Sequence, residues 1–159
     1  MAHSKKKAKI LSIPSDSRNS SKRAVYLPVK DHLIIWNFRY LFMDGDFGFH
    51  SDNIDSRTSE KLFRFFHDYS EKTWNEVKTE TRNTSKRNPS KHHNIPFDKI
   101  DKNVLDLLES RFKDALYEYD GLFSFHVDSR LRIWGIKAED VFFVLFCDKN
   151  HQIYKVDRQ

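Results

Sequence analysis

Cysteine is almost absent from this chain: Cys147 is the only one, so it cannot form an internal disulfide or anchor a multi-cysteine zinc cluster. Glycine is scarce too. Four glycines in 159 residues leave no glycine-rich phosphate loop, and nucleotide-fold chemistry is not expected. No serine nucleophile elbow or paired-carboxylate motif is present. No apolar run approaches the roughly 20 residues that span a bilayer. The segment Ile10-Leu11-Ser12-Ile13-Pro14 is too short for a signal-peptide core. His92-His93, with His50 and His67, matches no zinc-ligand spacing, so neither a metal nor a cofactor is expected. These absences together point to a soluble, cytoplasmic protein with no membrane contact.

What the chain does have is aromatic mass and unevenly placed charge. Fourteen Phe, six Tyr and three Trp supply the volume of a core despite a modest apolar fraction. The net charge of +5 comes from one end. Residues 1–23 hold Lys5, Lys6, Lys7, Lys9, Arg18, Lys22 and Arg23 against Asp16, leaving 21 basic and 22 acidic side chains for residues 24–159. The remainder is therefore not globally basic, and any nucleic-acid surface on it must be a local patch. Residues 1–24 lack apolar periodicity and read as a disordered basic tail, followed by a single α+β domain over 25–159.

Residues 32–43 have strand-like aromatic and β-branched content, with Ile34, Trp36, Phe38, Tyr40 and Phe42 on one face. Asp44-Gly45-Asp46 is a turn. Thr58 or Ser59 can cap a helix running to about Glu80, with a Phe-rich apolar stripe. Residues 81–95 read as a basic loop. Asp98 is the expected cap of a second helix that ends near Tyr119 and is stopped by Gly121. Three strands follow, over 123–127, 130–134 and 141–147, and a short segment over 152–156 closes the chain. The strand over 141–147 is apolar on both faces and reads as central. The expected fold is α+β: two helices on one face of a curled antiparallel sheet, in the order β-α-α-β-β-β.

The final strands carry the chemistry. Arg130-Leu131-Arg132-Ile133-Trp134-Gly135 alternates apolar and cationic residues, and the next strand ends in Asp148-Lys149-Asn150-His151 with Tyr154 shortly after. In element order and in this arginine-bearing sheet, residues 30–156 resemble the RelE/ParE superfamily of small bacterial toxins. Catalytic members of that family are ribosome-associated RNA endonucleases. The resemblance implies that a strand arginine, Arg132 or Arg130, contacts the scissile phosphate. It further implies that Lys149 or His151 is a second basic group and that Tyr154 or His151 takes part in proton transfer. It brings RNA, on the ribosome, and an antitoxin protein as expected partners. The chain departs from the family pattern in having no arginine at the end of its last apolar strand, longer helices and a larger 81–95 loop.

Metal-independent RNA cleavage needs a base for the 2′-hydroxyl proton, cations for charge on the phosphorane and an acid for the leaving oxygen. Histidine suits either proton-transfer role and the arginine fork suits the phosphate. His126 and Trp134 are candidates for stacking on a base, and Arg82, Lys86, Arg87 and Lys91 are a candidate phosphate patch. The same residue types also describe a solvated strand face, a tight polar turn and a solvated loop. The expected function is thus a RelE-like toxin or phage-defence ribonuclease, with a non-catalytic RNA-binding or protein-interaction module as the alternative.

Overall fold

A computed structural model describes residues 33–82 and 92–154, the side chains of 81 and 82 excepted. The basic tail, Lys86, Arg87, Lys91, the Arg82 side chain and the end of the 152–156 segment lie outside the described residues. The elements are β1 (Ile35–Asn37), α1 (Ser56–Tyr69), α2 (Trp74–Arg82), β2 (His92–Pro96), α3 (Lys102–Phe112), β3 (Gly121–His126), β4 (Arg132–Ala138) and β5 (Val141–Asp148). They form a five-stranded sheet in the order β1-β5-β4-β3-β2. Strand β1 runs parallel to β5 and every other neighbour is antiparallel, so the sheet is mixed. The α+β class holds, and the expected two helices and order β-α-α-β-β-β match only roughly, since a further strand and helix stand before the last three strands.

The helices pack on both faces of the sheet, which corrects the expectation of one covered face. On one side Leu62 and Phe65 of α1 and Trp74 and Val77 of α2 meet Phe125, Ile133, Phe142 and Val144. On the other, Val104 and Leu108 of α3 meet Leu122, Trp134, Ile136 and Leu145. Burying each such side chain contributes about 1.5–3 kcal/mol. A central strand apolar on both faces requires this arrangement, since a bare face would leave Leu145 or Val144 in water.

Four local departures have identifiable causes. The 32–43 strand is cut short because the Asn37 side chain accepts the backbone N–H of Arg39 at 2.9 Å and turns the chain. Trp36 therefore packs edge-on against Phe65 and Phe66, while Tyr40 and Phe42 cross to Phe112 on the opposite face. The first helix begins one turn earlier than expected, capped by Asp55 Oδ1 on the Thr58 N–H at 2.7 Å. It breaks after Tyr69, and a reciprocal capping box starts α2: Thr73 N–H donates to Glu76 Oε2 at 2.7 Å and Glu76 N–H to Thr73 Oγ1 at 3.2 Å. Asp101, not Asp98, caps the third helix, and Lys113 at φ 48° ends its α-helical part, a 3-10 helix continuing over Lys113–Glu118 to Tyr119.

The fourth departure is β2, which occupies the end of the expected basic loop. It pairs antiparallel with β3, His92 opposite Phe125 and Pro96 opposite Gly121. Proline at the end of an edge strand removes no ladder bond the sheet needs. Between β4 and β5 the register shifts at Trp134/Gly135. A Cβ on Gly135 would collide with the Phe143 carbonyl oxygen and with the Phe142 ring. Gly135→Ala is therefore expected to lower stability by about 1–3 kcal/mol, the range for overpacking. Chemical denaturation checks this; an unchanged midpoint would remove Gly135 as the residue that permits the bulge.

Candidate functional site

A polar row crosses the sheet on the face that α3 covers. His126 of β3 is opposite Arg132 of β4, and Arg132 is opposite Asp148 of β5. Asp148 is fully buried, and its carboxylate organises the chain that follows. Oδ1 accepts the N–H of Asn150 at 3.2 Å, and Oδ2 accepts those of Gln152 at 2.7 Å and Ile153 at 2.9 Å. That wrap puts His151 in the left-handed region, φ 56°, and drives Ile153 into the core. Ile153 is held there from the other side, because its carbonyl accepts the Asp101 N–H at 2.9 Å at the start of α3.

The turn delivers His151 and Tyr154 to the row. The rings of His126 and His151 are 6.5 Å apart, those of His126 and His93 5.7 Å, and those of His93 and Tyr154 6.4 Å. Behind them His92 fixes the end of β3. Its Nδ1 accepts the backbone N–H of His126 at 3.2 Å, which leaves Nε2 as the protonated nitrogen facing the Tyr69 oxygen at 2.8 Å. Tyr69 donates in turn to Glu80 at 2.8 Å, and Lys72 closes the network on the same carboxylate.

Arg132 is only 5% exposed. One Nη donates to the carbonyls of Asp128 at 2.6 Å and Leu131 at 3.1 Å, the other to that of Ser129 at 3.3 Å, while Nε has no partner. Nor have His126 Nε2, Ser124 Oγ or Trp134 Nε1, all shielded from solvent. These four residues are two adjacent cross-strand pairs, Ser124 opposite Trp134 and His126 opposite Arg132. An orphaned buried polar atom costs about 1–3 kcal/mol, and four on one patch of sheet mark a place where stability has been given up.

Desolvation, reinforced by Arg132 and the surrounding imidazoles, pushes His126 down to about 3. Burial and Arg132 also lower His151, against the opposing pull of Asp148. Both imidazoles are therefore neutral at pH 7. Burial lowers Arg132 as well, with Asp148 and Asp128 acting in the other direction. The single thiol, Cys147, is buried and pushed up to about 12, mainly by desolvation, which leaves it unreactive.

Of the residues expected from sequence, His126, Arg132, His151 and Tyr154 come together. Arg130 and Lys149 do not join them. Arg130 is exposed in the turn between β3 and β4, and Lys149 reaches Asp55 at the cap of α1, 3.6 Å away. Trp134 is fully buried against the α3 face, so the expected role in stacking on a base is corrected to core packing. Sequence reasoning missed His93, because His-His-Asn-Ile-Pro carries no alternation that would announce a strand. Among the described residues no group of three His, Cys, Asp or Glu side chains is placed to hold a metal ion, and no helix is long and apolar enough to cross a membrane.

The unfolded chain protonates His126 near the ordinary 6.5, whereas the folded chain resists until about 3. Stability from keeping this ring neutral is therefore whole above about 6.5 and is lost as pH falls from there toward 3. Thermal melts across that range should show a steeper acid loss in the wild type than in His126→Gln; equal slopes would mean that the ring is not desolvated. Comparison with protein-family models, with curated proteins and with solved structures finds no match, so the residues themselves carry the functional argument.

Proposed function

We propose that this chain cleaves RNA without a metal, as a RelE-like toxin or phage-defence ribonuclease does, through His126, Arg132, His151 and Tyr154. The observation that carries the reading is the pair of neutral imidazoles 6.5 Å apart beside a buried arginine whose Nε has no partner. A phosphodiester arriving there adds negative charge beside both imidazoles. It accepts from Arg132, and its charge raises the proton affinity of both rings, so that one can be protonated while the other remains a base.

The reaction then balances. One imidazole takes the 2′-hydroxyl proton as the 2′-oxygen bonds to phosphorus. The bond from phosphorus to the 5′-oxygen breaks, and the protonated ring supplies the proton to the leaving oxygen. The products are a 2′,3′-cyclic phosphate and a 5′-hydroxyl. Arg132 stabilises the phosphorane, and Tyr154, beside His93, is the alternative proton carrier.

Cleavage of single-stranded RNA by the purified chain in the presence of a chelator tests the proposal. His151→Ala should slow it about 10²–10⁴-fold, the contribution of one proton-transfer group. An Arg132→Ala/His151→Ala double variant that remains folded should be inert and harmless when expressed, whereas the wild type slows growth. One observation favours a second reading, RNA binding without cleavage. The Nη atoms of Arg132 are already held by three backbone carbonyls, as in a structural arginine. RNA that is bound but left intact by the wild type would replace the nuclease with that module.

A further inference from the structure

We infer that the chain grips RNA as a single strand, in two clefts that lie on either side of the Lys61–Asp128 ion pair. The inference rests on the RNA reading above but not on cleavage. Lys61 and Asp128 line both clefts. The larger, about 610 Å³, lies between α1 and the β3–β4 turn, and His126 and Arg132 reach its wall. The smaller, about 340 Å³, lies at the start of α1.

Charge singles out this surface. The two clefts are lined by Arg57, Lys61, Arg64, Arg130, Arg132 and Lys149 against Asp55, Asp68 and Asp128. Residues 24–159 as a whole have no such excess, with 21 basic and 22 acidic side chains. The three carboxylates are also engaged, Asp68 beside His67 at 3.3 Å. Asp128 accepts the N–H groups of Arg130 and Leu131 at 2.8 Å each and pairs with Lys61. Asp55 caps α1 at Thr58 and faces Lys149. Arg57 and Arg130 make no ion pair with any described residue and remain available to phosphate.

Size and wall chemistry decide between single strand and duplex. The larger cleft falls within the roughly 300–1,000 Å³ of small-molecule sites and can admit a nucleotide. Half-buried Tyr69, backed by the buried Phe65 with ring centroids 4.4 Å apart, forms part of its wall. A base can enter a cleft of this size only when it is unpaired, because a duplex keeps its bases stacked inside and offers only sugar and phosphate. The smaller cleft, at the low end of that range and walled by cations, suits a flanking phosphate. A strand threaded through both runs past His126 and Arg132.

Fluorescence anisotropy with a short 2′-O-methyl strand, whose blocked 2′-oxygen prevents cleavage, tests this directly. The single strand should bind at least about tenfold more tightly than the same strand annealed to its complement. Arg57→Glu/Arg130→Glu and Arg64→Glu, all at exposed positions and checked for folding by circular dichroism, should weaken binding and lower the salt slope by about one per arginine. Duplex binding equal to single-strand binding, or variants with wild-type affinity and slope, would overturn the inference. The two proposals fail separately. Tight single-strand binding with ordinary RNA left intact keeps the clefts and removes the nuclease, whereas undiminished cleavage by the reversed-charge variants keeps the nuclease and removes the clefts.

Discussion

Much of this molecule hangs on one buried carboxylate. Asp148 has no access to solvent, and its carboxylate accepts three backbone N–H groups, while Arg132 stands opposite it in the sheet. A buried carboxylate without such donors would carry a large desolvation cost. With them, it becomes the post around which residues 149–153 wind. The winding sets His151 in a left-handed conformation, seats Ile153 in the α3 core and ties that core to the start of α3. Arg132 completes the arrangement from β4 and orders the β3–β4 turn through its carbonyls. Turn, helix start and the His151 ring are thus positioned by a single electrostatic demand.

The packing around that post explains why the imidazoles are neutral. Helices on both faces leave only the end of the sheet, near the β3–β4 turn, where polar groups can collect. His126 stands there half-buried, with Arg132 and three other histidines for neighbours. Desolvation disfavours the charged ring and the cation beside it adds to the effect. What lowers the proton affinity of His126 is therefore burial first and the neighbouring cation and imidazoles second.

Alternation made β3, β4 and β5 legible, because Phe123 and Phe125, Leu131 and Ile133, and the doubly apolar Val141–Cys147 run each imply a face. It could not say what lies over that face. Alternation sets Trp134 and Arg132 on the face opposite Leu131 and Ile133, yet both are buried, Trp134 against α3. The site was legible in part for the same reason: strand pairing aligns His126 with Arg132 and Asp148, whereas the diversion of Lys149 to Asp55 is a tertiary event. Thr73-x-x-Glu76 was a readable helix start, but the continuous aromatic stripe on either side obscured it. His93 left no local trace, since an edge strand of His-His-Asn-Ile-Pro is stabilised by β3 and not by its own propensities.

The parallel pairing of Ile35 with Val141 has a consequence for assembly. Closing a loop of that length costs more chain entropy than closing the β3–β4–β5 meander, and the cost precedes any reward from contacts. Every imidazole of the cluster, with Arg132, Asp148 and Tyr154, lies between His92 and Tyr154, on elements that pair with near neighbours in sequence. The cationic wall supplied by α1 lies on the far side of the long closure. The polar cluster and the α1 wall therefore differ in the loops that must close to form them, the cluster resting on short-range pairings and α1 on the far side of the long closure.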